Sequence, residues 1–558
     1  MPSSRNSCKA KTVIDCYHIK VQLVKQSFIF SQYRYRLSHS NCCLATTSTK
    51  AKASSNNNNS SSNRTENQFQ KSVLIQNIFS PPSQPSTMGF KSLRDKIQVR
   101  FILVGMAFLG FMVVYALRVN LSVAIIAMTN TLQSEDKNLT MHCPVLNDTK
   151  ADNHTGEFDW DSNKQGLLLG SFFYGYICTQ FIGAVLAKWK GAKYLLGGGI
   201  ALTAVLSLVI PAAARWGFTA LVVIRVAQGF FEGVTFPAMH NLLGKWSPMR
   251  ERSILATITY SGAHMGTVLS LPISGVLANS DLFGGWPSIF YVPGIGGIIW
   301  FIGWIFIASN SPAEHPWISE KEKRYIESSV GCRKEFRTPW YSIFTSIRVW
   351  AINVGHVTFN WNFYLMLTSL PLYMKTVLHF DMSQNSLYSA IPYLLLWFLM
   401  TITGFVADWL KNGILSTGTT RKILNTVGLT LPAILLGTIQ YVGCDRNVAL
   451  AMVTMAIAFS AIALGGYQVN HLDIAPNFAG TLMGISNTFA TIPGFVAPSV
   501  VGAFTHIQDP YFGWLKVFYL SVAINVIGAV FYLIFASGEE QSWAQSDEEQ
   551  KEPIVTGN

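Results

Sequence analysis

From Val99 to Ala536 one apolar stretch follows another, each close to the roughly 20 residues that a membrane-crossing helix requires. Twelve such runs can be bounded, at 101–126, 165–187, 194–213, 218–243, 253–278, 288–308, 349–374, 387–409, 423–443, 447–470, 480–505 and 514–536. Hydrocarbon offers backbone amides and carbonyls no water, so each run must satisfy its own polar backbone as a helix. The expectation is an all-α membrane protein. Only 13% of the residues are charged, about half the ~25% of an ordinary soluble domain. The net charge of +12 does not point to nucleic acid, because the basic residues fall in short connectors and in the N-terminal tail.

Most connectors are short, and the long polar one divides the runs into six and six. The expected organisation is a disordered cytoplasmic extension over 1–96 and a first six-helix half over 97–308, with an outer loop at 129–163. A cytoplasmic linker over 309–348, a second half over 349–536 and an acidic tail over 537–558 complete it. Residues 1–90 are basic, Ser-rich and acid-poor, as transit peptides are, but they lack an amphipathic helix. They read as a disordered tail, with Met88 as an alternative start. Within the linker, Ser319 and Glu322 fit a capping box that opens a short surface helix.

Basic residues cluster before span one (Lys91, Arg94, Lys96, Arg100) and after span two (Lys188, Lys190, Lys193). They recur after span four (Lys245, Arg250, Arg252) and after span eight (Lys411, Arg421, Lys422). The positive-inside rule then places both termini in the cytoplasm. The loop after span one carries three glycosylation sequons, at Asn138, Asn147 and Asn153, which fit an outer, lumenal position. Sequons at Asn63 and Asn120 fall in the tail and in span one and are expected to stay unused.

Eight scattered cysteines form no CxxC pair and no His/Cys cluster, so neither a zinc site nor a disulfide framework is expected. Cys143 and Cys444 share the outer side but are expected to remain unpaired. No nucleotide-binding, metalloprotease or hydrolase motif stands out. The chain does not read as an enzyme, and no cofactor or metal is expected.

Span four, "RVAQGFFEGVTFPAMH", carries Arg225 and, seven residues on, Glu232. A charge at the bilayer centre costs about 2.5–3.5 kcal/mol on insertion scales, so both need a reason. Seven residues is two turns, which puts Arg225, Gln228 and Glu232 on one face. Roughly 10 Å of axial separation is too long for a tight pair within the helix. A third partner or a cavity is therefore expected. Arg118 of span one, in "VVYALRVNLS", lies at the depth of Arg225. Two buried arginines at one level make an anion site, and Glu232 beside them makes a cation-coupling group. Protonating Glu232 raises the cluster from +1 to +2 and is expected to free Arg225 for a carboxylate or phosphate, so that cation and anion binding favour each other. Tyr115, Tyr176 and Asn487 are further candidate substrate contacts. Tyr174 lies at a similar depth, His264 reads as a neutral bundle residue, and Asn360 and Asn362 face unknown directions.

The halves also echo each other. "GAVLAKWKGAK" follows span two and "GFVADWLKNG" follows span eight, where Gly404 and Asp408 match the Gly-x-x-x-Asp loop signature of the major facilitator superfamily. Parallel six-helix repeats are how that fold is built. Longer stretches, "YALRVNLSVAI", "GSFFYGYICTQ", "EGVTFPAMHNLLGKWSP", "NHLDIAPNFAGTLMGISNTFATIPGF" and "VFYLSVAINVIGAVFYLIFASGE", resemble its anion–cation symporter family. That is the group of sialin, vesicular glutamate carriers and type I sodium–phosphate cotransporters. The resemblance spans roughly 97–543 and is nearest the sialin and phosphate-cotransporter side.

The resemblance implies H⁺- or Na⁺-coupled symport of an organic anion or phosphate by alternating access. A sialin-like organic anion:H⁺ symporter is favoured over a sodium-dependent phosphate cotransporter, and an anion channel or receptor is the reading from another class. It further implies that Arg118 and Arg225 are the functional arginines and Glu232 the coupling carboxylate. The expected partners are a small anionic substrate and the lipid bilayer, with the chain acting as a monomer in the plasma membrane or an endolysosomal or vesicular membrane. Three positions depart from the pattern. Phe359 and Leu169 stand where vesicular glutamate carriers have an arginine and a histidine, which disfavours glutamate. Gln228 stands where sialin has a second acid.

Overall fold

The computed structural model describes residues 98–130, 156–248, 250–330, 338–506 and 509–545. The three outer-loop sequons, the N-terminal extension and most of the acidic tail lie outside them. Among the described residues twelve helical rods follow one another: Val99–Met128, Ser162–Lys190, Ala192–Trp216, Phe218–Trp246, Arg252–Ala278, Ser288–Ile307, Ile347–Thr376, Met382–Gly413, Thr417–Val442, Arg446–Ile474, Pro476–Thr505 and Pro510–Phe535. There is no strand among them, only one isolated bridge from Thr129 to Phe158.

Ten rods are long and apolar enough to cross a membrane on composition alone. The other two, spans five and seven, are long but more polar. Span seven shows why this is tolerated. It is buried almost all round, its Asn, Thr and His side chains included, so its polar groups meet protein and not lipid.

The rods start and stop where local chemistry directs. Asp161 accepts from the Lys164 amide to open span two, and Asp381 accepts from the Gln384 amide to open span eight. Span four is interrupted at Gly233–Val234, directly after Glu232, and the Thr235 hydroxyl donates to the Glu232 carbonyl there.

Spans two and eleven bring the two halves into backbone contact. A Cβ on Gly502 would lie 2.6 Å from the Ser162 carbonyl oxygen, so only glycine permits this approach. Polar bonds cross between the halves at the same end. Lys375 Nζ donates to the Ile126 carbonyl at 3.0 Å, and Asn279 Nδ2 donates to Ser383 Oγ at 3.0 Å. A lysine at a helix C-terminus also suits the helix dipole.

At the opposite end the linker docks on the first half. Its helix, Glu320–Val330, is capped as expected, with the Glu322 amide donating to Ser319 Oγ. The Glu322 carboxylate does not fold back on the cap. It accepts from the first amides of span one, Val99 at 2.9 Å and Arg100 at 3.1 Å, and from Arg100 Nη1. Arg100 also donates to Glu251, and that bond holds the Glu251 carboxyl below the usual carboxylate range.

Cys444 is disulfide-bonded, which corrects the expectation of unpaired cysteines; its partner lies outside the described residues. A lone outer cysteine carries no sequence sign of which neighbour the fold brings to it.

Candidate functional site

The buried charges gather in the first half. Arg118, Arg225 and Glu232 are 5%, 2% and 0% exposed, so each must find its partners within the protein. The third partner expected for span four is Arg118 of span one. Its Nε and Nη2 donate to the same oxygen, Glu232 Oε1, at 2.8 and 2.6 Å.

The pair is only half used. Arg118 Nη1 and Glu232 Oε2 are both buried without a hydrogen-bond partner. Three aromatic faces hold the guanidinium, with Tyr115, Phe172 and Tyr176 at 4.7, 5.0 and 4.6 Å from ring centroid to Cζ. Cation–π contacts of this kind contribute ~2 kcal/mol or more once desolvated, enough to keep the cation in place when its carboxylate leaves. Tyr115 and Tyr176, selected from the sequence, are thus both at Arg118.

Arg225 is placed differently. Its Nη1 donates to Gln228 Oε1 at 2.9 Å and to the Leu117 carbonyl at 3.5 Å, and its Nη2 donates to the Arg118 carbonyl at 3.4 Å. It ties span four to the backbone of span one. This corrects the expectation that protonating Glu232 frees Arg225. The cation bonded to Glu232 is Arg118, because two turns along span four are too far for an internal pair while the neighbouring helix is near. Gln228 is committed on both sides: it accepts from Arg225 and donates to the Thr203 carbonyl at 3.2 Å.

Close helix packing brings these groups together. A Cβ on Gly229 would collide with the Phe172 carbonyl, so glycine lets spans four and two touch and sets Phe172 between the two guanidiniums. Phe172 lies 5.4 Å from Arg225 Cζ as well. Sequence reasoning missed it. The available signal was its four-residue spacing from Tyr176, which puts both rings on one helix face. Tyr364, from span seven, was missed too; it packs against Phe173 at 4.6 Å and brings the second half to this level.

Asn487 is not at the arginines. Its Nδ2 donates across the halves to Gln180 Oε1 at 2.8 Å. Gln180 follows Tyr176 by one turn, so the bridge lies about 6 Å further along the same face. Tyr174 points away, partly exposed and against Phe495. Asn360 donates to the Ala490 carbonyl and Asn362 pairs with Asn525, both as ties between spans. His264 sits near Phe363. Leu169 lines the small cavity beside Arg118 and Arg225, whereas Phe359 packs on Phe363 and Tyr467. Among the described residues no cluster of His, Cys, Asp and Glu could hold a metal ion.

The model of the major facilitator superfamily matches residues 99–498. Human sialin is 44% identical over 456 residues, covering 80% of this chain and 91% of sialin. Zebrafish (Danio rerio) vesicular glutamate transporter 3 is 41% identical, over 80% of this chain and 75% of its own length. Human vesicular glutamate transporter 2 is 40% identical, over 81% and 76%. Among solved structures, a bacterial homologue of the human lysosomal transporter Spinster, inward-facing and occupied, superposes with a TM-score of 0.60 at 14% identity, covering 79% of this chain and 97% of that one. The D-xylose–proton symporter does so with 0.59 at 17%, covering 78% and 98%. At such identities these two structures speak for the fold.

Proposed function

Because the chain belongs to the major facilitator superfamily, and within it to the family of sialin and the vesicular glutamate transporters, we propose that this multi-pass membrane transporter is a secondary active anion symporter. It moves an organic anion or inorganic phosphate by alternating access, coupled to H⁺ or Na⁺, with a sialin-like organic anion:H⁺ symport favoured. The observation that carries this reading is the half-used Arg118–Glu232 pair.

Ionised Glu232 occupies the guanidinium that an anion would need. Protonation of Glu232 removes the charge on that contact, and Arg118 turns its planar fork to a substrate carboxylate or phosphate. The anion in turn favours the protonated state, since an ionised Glu232 would face it across one arginine. Arg225 does not leave its place: its bonds to the Leu117 and Arg118 carbonyls hold the segment from which Arg118 projects. The crossings at Lys375 and Asn279 pin one end of the two halves, as a carrier that opens one side at a time requires. Both termini are assigned to the cytoplasm on the distribution of lysine and arginine.

Proteoliposomes test this directly. Uptake of phosphate, sialic acid and a panel of other organic anions is measured under a proton gradient alone and a sodium gradient alone. Saturable uptake that one gradient drives uphill is expected. Linear, gradient-indifferent flux of small anions would replace the symporter by a channel.

A further inference from the structure

The chain beyond span twelve turns back across the second half. Span twelve ends at Phe535, whose carbonyl accepts from Arg348 Nη1 at 3.2 Å. Gly538 then lies against the first turn of span nine: a Cβ there would be 2.6 Å from Gly418 Cα, so glycine permits the crossing. The Gln541 amide donates to the Ile474 carbonyl, at the end of span ten, at 2.9 Å. Asn477 Nδ2, in the first turn of span eleven, donates to the Ala544 carbonyl at 3.3 Å. Trp543 packs on Phe478 with ring centroids 6.3 Å apart. Ala536 and Ala544 are buried. The opening of the segment expected to be a tail thus touches the ends of spans nine, ten and eleven.

The first half does the same with the start of the linker. "ASNSPAEHPW" (308–317) follows span six as "ASGEEQSW" (536–543) follows span twelve. Asn310 Oδ1 accepts from the Lys193 amide at 2.9 Å, at the start of span three. The Ser309 carbonyl accepts from Trp246 Nε1 at 2.9 Å, at the end of span four. Spans three and four of the first half correspond to nine and ten of the second, so both segments follow one route. The repeat therefore extends beyond the last helix of each half.

In the second half the segment ties down a joint. Ala475 interrupts the helix between spans ten and eleven, so the two rods need an outside hold to keep their angle. Span eleven carries Asn487, which bonds across the halves to Gln180. Asp473, next to Ile474, pairs with Arg421 of span nine at 2.7 Å. A half that rocks as a unit must keep such ends in fixed places.

We propose that residues 536–545 are a strap that makes the linker-side ends of spans nine to twelve one rigid body, and that it stays closed throughout the transport cycle. Its part in transport rests on the symporter reading; its grip on the helix ends does not. The parent, a chain ending at Gln545 and a chain ending at Ala536 are compared by uptake in proteoliposomes and by thermal unfolding in detergent. The chain ending at Gln545 is expected to match the parent. The chain ending at Ala536 should unfold at a lower temperature and lose about tenfold in uptake per inserted molecule. Should it not fold, Gly538→Ala takes its place, with Gly480→Ala, whose Cβ meets open space, as the control.

Whether the strap opens is asked separately. Asn477→Cys and Ala544→Cys are joined by a short bismaleimide and compared with the same protein treated with a monofunctional maleimide. Uptake within about twofold of that control is expected, since a rigid body does not need the strap released. Loss of uptake on cross-linking would make the segment a gate and overturn the proposal. So would equal midpoints and uptake in the two shortened chains, or a lower midpoint with unchanged uptake per molecule. If the parent itself shows no gradient-driven uptake, the symporter reading fails, while the midpoints of the two shortened chains still report the strap.

Discussion

The two halves share a fold and differ in what they bury. The first holds three full charges, Arg118, Arg225 and Glu232, at 5% exposure or less. The second holds amides, hydroxyls and imidazoles: Asn362 paired with Asn525, His356 with Ser486, Asn470 with Tyr532. Its buried arginine, Arg421, sits near the end of its span and is matched by Asp473. A neutral polar group left part-satisfied costs less than an unpaired charge. A charged one that is half satisfied is poised to exchange partners, because each unpaired site raises the value of an incoming ligand. On the proposed reading, the repeat supplies the scaffold twice and the substrate chemistry once.

The largest effect that would break this contrast comes at Arg118. Arg118→Lys should lower anion uptake by about 100-fold or more, since an ammonium offers no planar fork and no flat face to stack on the three rings. Surface delivery should persist, and any fall in thermal midpoint should be small beside the loss of uptake. If uptake stayed within a factor of three of the parent, the charged half would not be where the anion binds.

Next is Glu232→Gln, which imitates the protonated state. Anion exchange across the membrane should persist within about tenfold, while uphill accumulation driven by the cation gradient disappears. Counterflow and net uptake measured on the same proteoliposomes separate the two. Full gradient-driven accumulation would remove Glu232 from coupling.

Arg225→Lys sharpens the contrast from inside the first half. The replacement loses the bonds to the Leu117 and Arg118 carbonyls, at a cost of about 1–3 kcal/mol. Its signature should be a thermal midpoint several degrees lower, with transport reduced in step. A normal midpoint with abolished transport would make Arg225 a direct anion ligand.

The smallest effect is one of labelling. Sequons in predicted outer loops occur only in the first half, at Asn138, Asn147 and Asn153. Replacing all three by Gln should bring the protein to its deglycosylated mobility without changing uptake. Residual glycan after that would redraw the topology of the first half.

Much of this was legible in the chain. Apolar run length located the twelve rods, because hydrocarbon imposes one rule on every segment. Buried charges marked the site for the same reason. Pairing was not legible. That Glu232 meets Arg118 and not Arg225 depends on which helix lies next to span four and at what rotation, and Gly229 sets that by a contact between helices. The role of Asn487 was hidden similarly: its bond goes to Gln180, 307 residues away. The polar interior of the second half left no signal, since single asparagines in apolar runs look alike whether they tie helices together or stand open.

The geometry of the Arg118–Glu232 contact has one more consequence. Both donated hydrogens converge on a single carboxylate oxygen, and Nη1 stands free. In the language of ligand substitution, the proposed exchange is associative: once Glu232 is protonated, the entering anion docks on Nη1 before the carboxyl group departs. At no point along that path does a bare guanidinium face the low-dielectric interior. On that path the barrier to partner exchange is lower than the cost of breaking a buried ion pair outright.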